Sequence, residues 1–446
     1  MKLRASLQSF IAATAIWGLG TASASDWTLE EAAKPYAGTT VDVVFLLRPG
    51  YEAAEAMLPE FEAKTGIKVN IIKHPYENAL GEQVRDFVAG GDLDVALIDL
   101  VWIGNFAEND WIEPISTFTS NKDLVDPDLD IDDFFPLVLN AFGGWNGEVY
   151  GLPFDNYSGL LFYNECMLKD AGFDGPPDTW SDLKDVYGPA LTKDGKYAYA
   201  LQSKRNETQS ADSFARMLWP FGGSFLDDKF KSNLLSEESQ TGLKFRQDLM
   251  QYMPEGIVSY DHSEAVNALA QGDIALLTEW SAFYSTLKSS DTSKIADCLK
   301  IAPEPKGPAG RKPALGGFSL AVASQADDAE KAASWLFIQW ITSKANALEY
   351  LEKGGVPARQ SVYQQEGVAE KFDFVPALVE SWQDGVPEFR PRFAEWPEIT
   401  EIVQEWGTKI MLGEVSTEDG AKELGDRMEA VLEKAGYYDG SKPLAQ

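Results

Sequence analysis

The fold class follows from residues 39–99, which read TTVDVVFLLRPGYEAAEAMLPEFEAKTGIKVNIIKHPYENALGEQVRDFVAGGDLDVALID. Apolar, β-branched runs typical of strands alternate with acidic, amphipathic runs that close on glycine, as helices do. The order is strand TTVDVVFLL (39–47), helix EAAEAMLPEFEAKTG (52–66), strand IKVNIIKH (67–74), helix ALGEQVRDFVAGG (79–91) and strand LDVALID (93–99). This order predicts an α/β fold with a mainly parallel sheet and helices on both faces.

The rest of the chain predicts a second α/β unit and a return to the first. Residues 208–282 are mostly helical in pattern, but DIALLTEW (273–280) predicts a strand. Two extended runs flank the Pro/Gly-rich stretch 304–313, and a strong helix follows over 327–342. A length of 446 residues also favours more than one domain. We therefore expect a chain that leaves one lobe, builds another and comes back.

The N-terminus has the features of a secretory signal peptide over residues 1–24. The basic MKLR precedes the apolar run FIAATAIWGLG (10–20), and Ala22-Ser23-Ala24 has the small-x-small pattern of a cleavage site. The apolar run is too short to span a bilayer. The leader contains no cysteine, so we expect no lipid anchor. The sequence thus predicts a mature chain that begins near Ser25 and works in the periplasm.

Charge and composition exclude several functions. The formal net charge is −32, which opposes binding to nucleic acid or to anionic membranes. Only two histidines occur, His74 and His262, so a His-rich zinc or copper site is excluded. The two cysteines, Cys166 and Cys298, are far apart in sequence. They can pair in an oxidising compartment, but their apolar neighbourhoods favour two buried thiols.

Sequence motifs point to no cofactor and no metal. Asp126, Asp128 and Asp130 occupy the first, third and fifth positions of a calcium loop. Ile131 and Leu137 stand where that loop needs glycine and glutamate, so a solvated loop is favoured. The nucleotide-binding, metalloprotease and nucleophile-elbow motifs are absent. A glycosidase needs only two carboxylates, and the 70 acidic residues leave that alternative open.

Aromatic residues and acids recur together at the ends of predicted elements. Trp102 follows Asp99 by three residues, Trp280 directly follows Glu279, and Trp219 precedes a Pro and two glycines. Indole rings stack on sugar rings while carboxylates bind hydroxyl groups, although a single tryptophan is more often part of a core. These pairings favour carbohydrate binding.

Residues 143–164, GGWNGEVYGLPFDNYSGLLFYN, combine a core strand with polar groups. GLLFYN is apolar and β-prone, yet Asp155, Asn156 and Tyr157 come directly before it. Because side chains alternate along a strand, Asp155 and Tyr157 share one face. We expect these two to face a ligand.

Five segments in order resemble one protein family. They are LPEFEAKTGIKVNI (58–71), DLDVALIDLVWIGNFAENDWIEPI (92–115), GEVYGLPFDNYSGLLFYNECMLKDAGFDGPPDTWSDL (147–183), AVNALAQGDIALLTEWSA (265–282) and KIAPEPKGPAGRKPALGGFSLAVAS (300–324). Together they resemble the extracellular solute-binding proteins of ABC importers, in the family 1 carbohydrate class that includes maltose-binding protein. The third segment is the most specific.

The resemblance implies a type II periplasmic-binding-protein fold, with two α/β lobes joined by a hinge that the chain crosses three times. It places the crossings near 113–117, 296–300 and 342–351. Lobe one would contain 26–115 and 298–345, and lobe two 116–297 and 346–446. Such proteins close on their ligand by hinge motion. The expected protein is a monomer without catalytic activity that delivers a sugar or polyol to the membrane permease subunits of an ABC importer.

The resemblance also implies a set of ligand contacts. Lobe one would supply Tyr76, Glu77, Asp99, Trp102, Gly317 and Phe318, and lobe two Asp155, Tyr157, Trp219, Glu279, Trp280 and Arg392. Arg48, in LLRPG, is a further candidate. The acidic charge leaves a cationic ligand such as a polyamine as an alternative.

Overall fold

A computed structural model describes residues 27–205 and 209–442, and the predicted signal peptide lies outside the described residues. The strands are β1 Thr40–Leu46, β2 Lys68–His74, β3 Val95–Asp99, β4 Gly144–Trp145, β5 Glu148–Val149, β6 Gly151–Asn164, β7 Tyr197–Ala200, β8 Ile274–Trp280, β9 Leu299–Pro303 and β10 Leu315–Val322. No described helix is both long enough and apolar enough to cross a membrane.

The helices account for most of the remaining chain. The α-helices are α1 Leu29–Ala33, α2 Pro49–Glu55, α3 Leu58–Thr65, α4 Tyr76–Ala89, α5 Ile103–Glu108, α6 Ser116–Thr119, α7 Pro136–Gly143, α8 Glu165–Asp170, α9 Trp180–Asp182, α10 Gly188–Leu191, α11 Gln209–Ala215, α12 Glu237–Leu249, α13 His262–Ala270, α14 Tyr284–Lys288, α15 Asp328–Ile341, α16 Lys344–Glu352, α17 Gln360–Tyr363, α18 Val368–Lys371, α19 Val375–Asp384, α20 Trp396–Leu412 and α21 Thr417–Lys434. Short 3₁₀ turns occur at Lys34–Tyr36, Ile131–Asp133, Trp219–Phe221, Met250–Tyr252, Ile257–Ser259 and Ser281–Phe283, and a π-turn at Leu183–Tyr187.

The predicted β-α-β-α-β start is confirmed. β1 pairs in parallel with β2 from Thr40↔Lys68 to Leu46↔His74, and on its other side with β3. Helices α2 and α3 connect β1 to β2, and α4 connects β2 to β3. β10, which comes from much later in the chain, extends this sheet antiparallel to β3. The strand order β2-β1-β3-β10-β6-β8-β7 confirms an α/β fold.

The long strand β6 belongs to both halves of the sheet. Its first half pairs with β10, from Gly151↔Ala321 to Ser158↔Leu315. Its second half pairs with β8 on one side and with β9 on the other, both antiparallel, while β7 runs parallel to β8. We call β1–β3, β10 and the first half of β6 the sheet of lobe one. The second half of β6 with β7, β8 and β9 is the sheet of lobe two.

The contacts of residues 116–143 conflict with the predicted crossing near 113–117. The Phe118 ring stacks on Trp335 of α15 at 5.3 Å, and the Gln339 side chain bonds to the backbone of Leu124 and Asp126. α15 packs against β10 and β1 of lobe one. We therefore propose that the first crossing is the middle of β6, near Ser158, and that 116–143 belong to lobe one.

The other two predicted crossings shift as well. β9 (Leu299–Pro303) begins within 296–300 and pairs with the lobe-two half of β6, which supports a return in 304–314. α16 packs on α15 and α2, and Arg359 donates to the carbonyl of Thr342 at 2.8 Å, which keeps 344–363 with lobe one. α20 packs on α11, α12 and α21. We propose that the last crossing follows α19.

Cys166 and Cys298 form a disulfide, so the expectation of two thiols is wrong. The cause is strand register. β6 ends opposite the start of β9, with Asn164 paired to Leu299, and the amide of Glu165 donates to the carbonyl of Cys298. This pairing brings the two Cα atoms to 5.5 Å, within the range that a disulfide requires.

The Asp-rich loop after α6 is held by protein partners. The Asp126 carboxylate accepts from the amide of Asp128 at 2.8 Å, and Lys344 pairs with Asp130 at 2.8 Å. Among the described residues, no cluster of three or more His, Cys, Asp or Glu side chains has the geometry of a metal site.

Candidate functional site

Polar side chains converge where the two halves of the sheet meet. β3 ends at Asp99, β8 ends at Trp280, and Phe318 of β10 pairs with Asp99. Ligands of open α/β sheets bind at such strand ends. Two adjoining cavities lie here, and we call the following selection of their lining residues the central cluster: Arg48, Tyr76, Asp99, Asp155, Tyr157, Asp212, His262, Trp280, Gly316, Gly317, Phe318 and Arg390.

Arg390 connects the two lobes through buried ion pairs. Its terminal nitrogens lie 3.0 and 3.3 Å from the two oxygens of Asp99, at the end of β3 in lobe one. Its Nε lies 3.3 Å from Asp212, on α11 in lobe two. Burial acts to lower the pKa of Arg390, but Asp212 and Asp99 outweigh it and raise this pKa. The hydroxyl of Tyr76 also donates to Asp99, at 2.6 Å.

Asp155 is held by groups on both sides of its strand. The hydroxyl of Tyr157 donates to Asp155 Oδ2 at 2.5 Å, and the amide of Val356 donates to Oδ1 at 2.9 Å. A side chain at Gly50, in the first turn of α2, would collide with this carboxylate. Burial raises the pKa of the Asp155 carboxyl. Both Asp155 and Tyr157 lie in the first half of β6, so they belong to lobe one and not to lobe two as predicted.

The lobe-two wall contains a histidine-carboxylate pair. His262 Nδ1 lies 3.0 Å from both oxygens of Glu279, which is fully buried at the end of β8. The amide of Trp280 donates to the same carboxylate at 2.8 Å. The His262 ring stacks on Phe283 at 5.2 Å. His262, not Glu279, therefore lines the cavity, and Glu279 orients it from behind.

A second buried pair lies beneath Trp280. Arg216, in the turn directly after α11, forms an ion pair with Glu304, and both side chains are excluded from solvent. The Arg216 guanidinium lies over the Trp280 ring, 4.9 Å from its centroid. Burial raises the pKa of Glu304 although Arg216 opposes this.

The two glycines of the GGF turn serve strand packing. Gly317 has φ +118°, a conformation that L side chains rarely adopt, and a side chain there would collide with the backbone of Asn156 on β6. A Cβ at Gly316 would lie 2.9 Å from the Trp280 ring. The absence of side chains thus allows β10 to approach β6 and Trp280.

Most of the predicted site residues lie together. The structure brings Tyr76, Asp99, Asp155, Tyr157, Trp280, Gly317, Phe318 and Arg48 into the central cluster, with Glu279 behind it. Trp102 adjoins the cluster and stacks on Tyr76 at 5.4 Å. Glu77 is exposed in a neighbouring groove between α4 and α20. Whether any of them touches a ligand remains a prediction.

Trp219 and Arg392 lie elsewhere, in what we call the side pocket. This cavity of about 250 Å³ is lined by Trp145, Trp219, Ser224, Phe225, Leu226, Asp227, Asp228, Phe230, Glu388, Pro391, Arg392 and Phe393. Arg392 donates to the carbonyls of Asn140 and Gly144 at 2.8 and 3.1 Å and so caps the end of α7. Trp219 Nε1 donates to the carbonyl of Phe389 at 3.0 Å. Both side chains stabilise local structure.

Sequence reasoning missed Asp212, His262 and Arg390. Asp212 and His262 lie on helices with no acid-plus-indole pattern, and only tertiary packing brings them to the cluster. Arg390 stands two residues before Arg392 in the same FRPRF run, so the run itself was a usable signal.

The family can now be stated from comparison with known proteins. A sequence profile described as bacterial extracellular solute-binding protein matches residues 56–376. The chain belongs to this family. The predicted resemblance is confirmed, and the family consists of binding proteins for transport.

Relatives share sequence with this member of the family over most of its length. A probable amino-acid ABC transporter periplasmic-binding protein of Sinorhizobium fredii is 25% identical over 91% of this chain and 92% of its own. The erythritol/L-threitol-binding protein of Mycolicibacterium smegmatis is 23% identical over 76% of each chain.

Solved structures show the same fold. An ABC transporter solute-binding protein of Agrobacterium radiobacter K84 in complex with ribitol has a TM-score of 0.80 at 24% identity, covering 89% of this chain and all of its own. Maltose-bound MalE3 of T. maritima has a TM-score of 0.78 at 25% identity, covering 88% of this chain and all of its own.

Proposed function

We propose that this protein is the periplasmic substrate-binding component of an ABC importer, which captures a sugar or polyol in the central cluster and delivers it to a membrane permease. The carrying observation is that carboxylates and guanidinium groups from both lobes meet there: Asp99 and Asp155 from lobe one, Asp212 from lobe two, and Arg390 between them. Charge-assisted hydrogen bonds from such groups suit vicinal hydroxyls. Relatives named for erythritol, threitol, ribitol and maltose support this ligand class.

The pairing of charges supports a neutral ligand over a polyamine. Asp99 pairs with Arg390, Glu304 with Arg216, and Glu279 with His262, which carries a charge only when protonated. A cationic ligand would have to compete with these internal cations for the same carboxylates. A hydroxyl group can instead donate to a remaining lone pair of a carboxylate and accept from a guanidinium, without breaking either pair.

The arrangement also provides a reason for closure. A ligand favours the closed form only if it contacts both lobes at once. Tyr76 and Asp99 come from lobe one, and Asp212 and His262 from lobe two, and all four line the same cavity. A ligand held among them would link the lobes and present a closed protein to the permease.

Calorimetry on the mature protein tests this proposal. The titrants are neutral sugars and polyols, amino acids and polyamines, each at low and at physiological salt. We expect binding only of neutral polyhydroxy ligands, with little dependence on salt. Tight, strongly salt-dependent binding of a polyamine would favour the cationic alternative. Binding of an amino acid and of no sugar or polyol would show that the ligand is an amino acid.

A matched pair of variants places the site. Asp212→Asn removes a cluster carboxylate and should weaken binding about tenfold or more, because a hydrogen bond to a charged group is lost. Asp228→Asn changes an exposed acid at the rim of the side pocket and should leave affinity unchanged. If Asp228→Asn weakens binding and Asp212→Asn does not, the ligand binds in the side pocket and not in the central cluster. Recovery of the bound sugar unchanged after long incubation would exclude the glycosidase alternative.

A further inference from the structure

His262 has a fixed backbone position at the first residue of α13. Asp261 caps this helix, because its carboxylate accepts from the amides of Ser263 and Glu264 while the Glu264 side chain accepts from the amide of Asp261. Such a reciprocal cap satisfies two of the free amides at a helix start and holds the first turn in place. The backbone of His262 is therefore positioned before any ligand arrives.

The side chain of His262 is fixed as well. Its Nδ1 lies 3.0 Å from both carboxylate oxygens of Glu279, whose side chain is fully excluded from solvent. The amide of Trp280 donates to the same carboxylate at 2.8 Å. One face of the imidazole stacks on Phe283, with ring centroids 5.2 Å apart and an interplanar angle of 28°. The ring is thus held by one edge and by one face.

The remaining edge of the imidazole carries Nε2. The side chain of His262 is 14% exposed and lines the cavity that also contains Asp212 and Arg390. Within the part of the chain that the structure describes, Nε2 has no hydrogen-bond partner, yet it is not shielded from solvent. This nitrogen is therefore the polar atom that His262 offers to the cavity.

The hydrogen bond to Glu279 decides which ring nitrogen carries the proton. An ionised carboxylate only accepts hydrogen bonds, so Nδ1 donates and bears the proton. In a neutral imidazole the other nitrogen then keeps a lone pair and accepts. Nε2 thus presents an acceptor to the cavity, in the same wall as the guanidinium groups of Arg48 and Arg390.

We infer that His262 determines specificity in this site by accepting a hydrogen bond from a ligand hydroxyl group at Nε2, and that Glu279 is a positioning residue that fixes the tautomer without touching the ligand. This inference rests on the proposed function and adds to it the direction of one hydrogen bond. A site built around a hydrogen bond to a hydroxyl group discriminates strongly against the analogue that lacks it. The ligand should therefore carry a donor hydroxyl group at this position.

Nitrogen NMR on the untagged mature protein, labelled isotopically at histidine, tests the tautomer before any ligand is added. The chain contains only His74 and His262, so a His74→Gln variant assigns the signals of both residues. At about pH 8, where histidine is ordinarily neutral, we expect His262 to carry its proton on Nδ1 alone. A proton on Nε2, either alone or together with one on Nδ1, would make this nitrogen a donor and overturn the inference.

Glu279→Gln tests the positioning role. The amide keeps the shape of the carboxylate and can still accept from the amide of Trp280, but its NH₂ group can donate to Nδ1 of His262 and leave the proton on Nε2. We expect the nitrogen signals of His262 to report this exchange, and affinity to fall about tenfold because an acceptor has become a donor. An unchanged tautomer together with a lower melting temperature would leave Glu279 with a structural role only and overturn this part of the inference.

Variants of His262 test the contact with the ligand. The probe is the sugar or polyol that the wild type binds most tightly in calorimetry, beginning with ribitol, mannitol, tagatose and maltose. His262→Ala should weaken binding of this probe about tenfold or more, while His262→Gln, whose amide oxygen can reach the place of Nε2, should recover part of the loss. Unchanged affinity in His262→Ala would overturn the inference and leave the sugar-binding function standing. If the wild type binds no sugar or polyol, the proposed function fails, and the inference fails with it.

Discussion

The central cluster and the side pocket are separated by one short segment, residues 388–393, yet they differ in size and in chemistry. The side pocket measures about 250 Å³, and its twelve lining residues include five aromatic and four charged side chains. The two cavities of the central cluster measure about 20 and 90 Å³, and the smaller one has charged groups from both lobes in its wall. The side pocket is the larger of these two regions, and the groove between α4 and α20 is larger still, at about 370 Å³. The polar groups that a sugar or polyol needs favour the central cluster.

The same segment supplies an arginine to each region. Arg390 is paired with carboxylates of two lobes, while Arg392 donates to backbone carbonyls at the end of α7. The two arginines differ in the groups with which the fold lets them form hydrogen bonds. Arg390 and its carboxylates can share their hydrogen bonds with an incoming hydroxyl group. Arg392 instead supplies hydrogen bonds to carbonyls at a helix end, and these stabilise the fold whether or not a ligand is bound. Mutations in the two regions should therefore separate affinity from stability.

The largest effect is expected for Arg390→Met. This change leaves Asp99 and Asp212 buried without their shared cation and removes a candidate ligand contact. Truncating one partner of a buried charge pair costs about 2–5 kcal/mol, so affinity should fall about a hundredfold or more. Calorimetry measures affinity, and urea unfolding of the free protein reports the accompanying loss of stability.

Arg390→Lys provides the control. A lysine keeps the charge without the planar fork and should recover part of the affinity. Wild-type affinity in Arg390→Met would remove Arg390 from the ligand site and leave it with a purely structural role.

The next effect is on stability alone. Removing the Cys166–Cys298 disulfide with a Cys166→Ser and Cys298→Ala double change should lower the free energy of unfolding by about 2–4 kcal/mol, because the bond closes a long loop in the unfolded chain. Affinity should stay within about threefold, since neither cysteine lines the central cluster. Thermal melts of wild type with and without reductant are a simple check. A destabilised protein that still binds would show that the loss in Arg390→Met is not a consequence of stability.

The sequence predicted the fold because its signals are local. Strands β1–β3 and helix α4 each follow from the period of apolar residues and from glycines at their ends, and the order of elements then limits the topology. Tyr76 and Asp99 could be found for the same reason, as polar residues next to a strand terminus, whereas Tyr157 lies in the middle of β6.

Features that depend on tertiary packing could not be predicted. Residues 116–143 lack a local signal for the lobe on which they pack. The disulfide depends on the register between β6 and β9, and the contact between Trp280 and the Arg216 guanidinium joins segments that are far apart in the sequence. Arg390 and Arg392 are alike in sequence and differ only in the partners that the fold gives them.

Arg392→Met should reduce stability by a smaller amount and spare binding. The change removes the charged donor to the carbonyls of Asn140 and Gly144, although the amide of Gly144 still donates to Asn140. A hydrogen bond from a charged group contributes about 1.5–3 kcal/mol. Urea unfolding should show this loss, while affinity for the ligand should stay within about threefold. If Arg392→Met lowers affinity as much as Arg390→Met does, the side pocket is part of the ligand-binding site.

Trp219→Phe is expected to have the smallest effect and is the most sensitive test of the side pocket. Phenylalanine keeps an aromatic ring in the wall but removes the indole N–H that donates to the carbonyl of Phe389 at 3.0 Å. A single hydrogen bond contributes about 0.5–1.5 kcal/mol, so the melting temperature should fall by only a few degrees. If Trp219 instead stacks on a ligand, losing the indole should cost about tenfold in affinity, because the larger ring provides more contact area. Unchanged affinity together with a small loss of stability would confine ligand binding to the central cluster. A tenfold loss of affinity without a loss of stability would mean that the ligand extends from the cluster past Arg390 into the side pocket, and the contrast between the two regions would then be wrong.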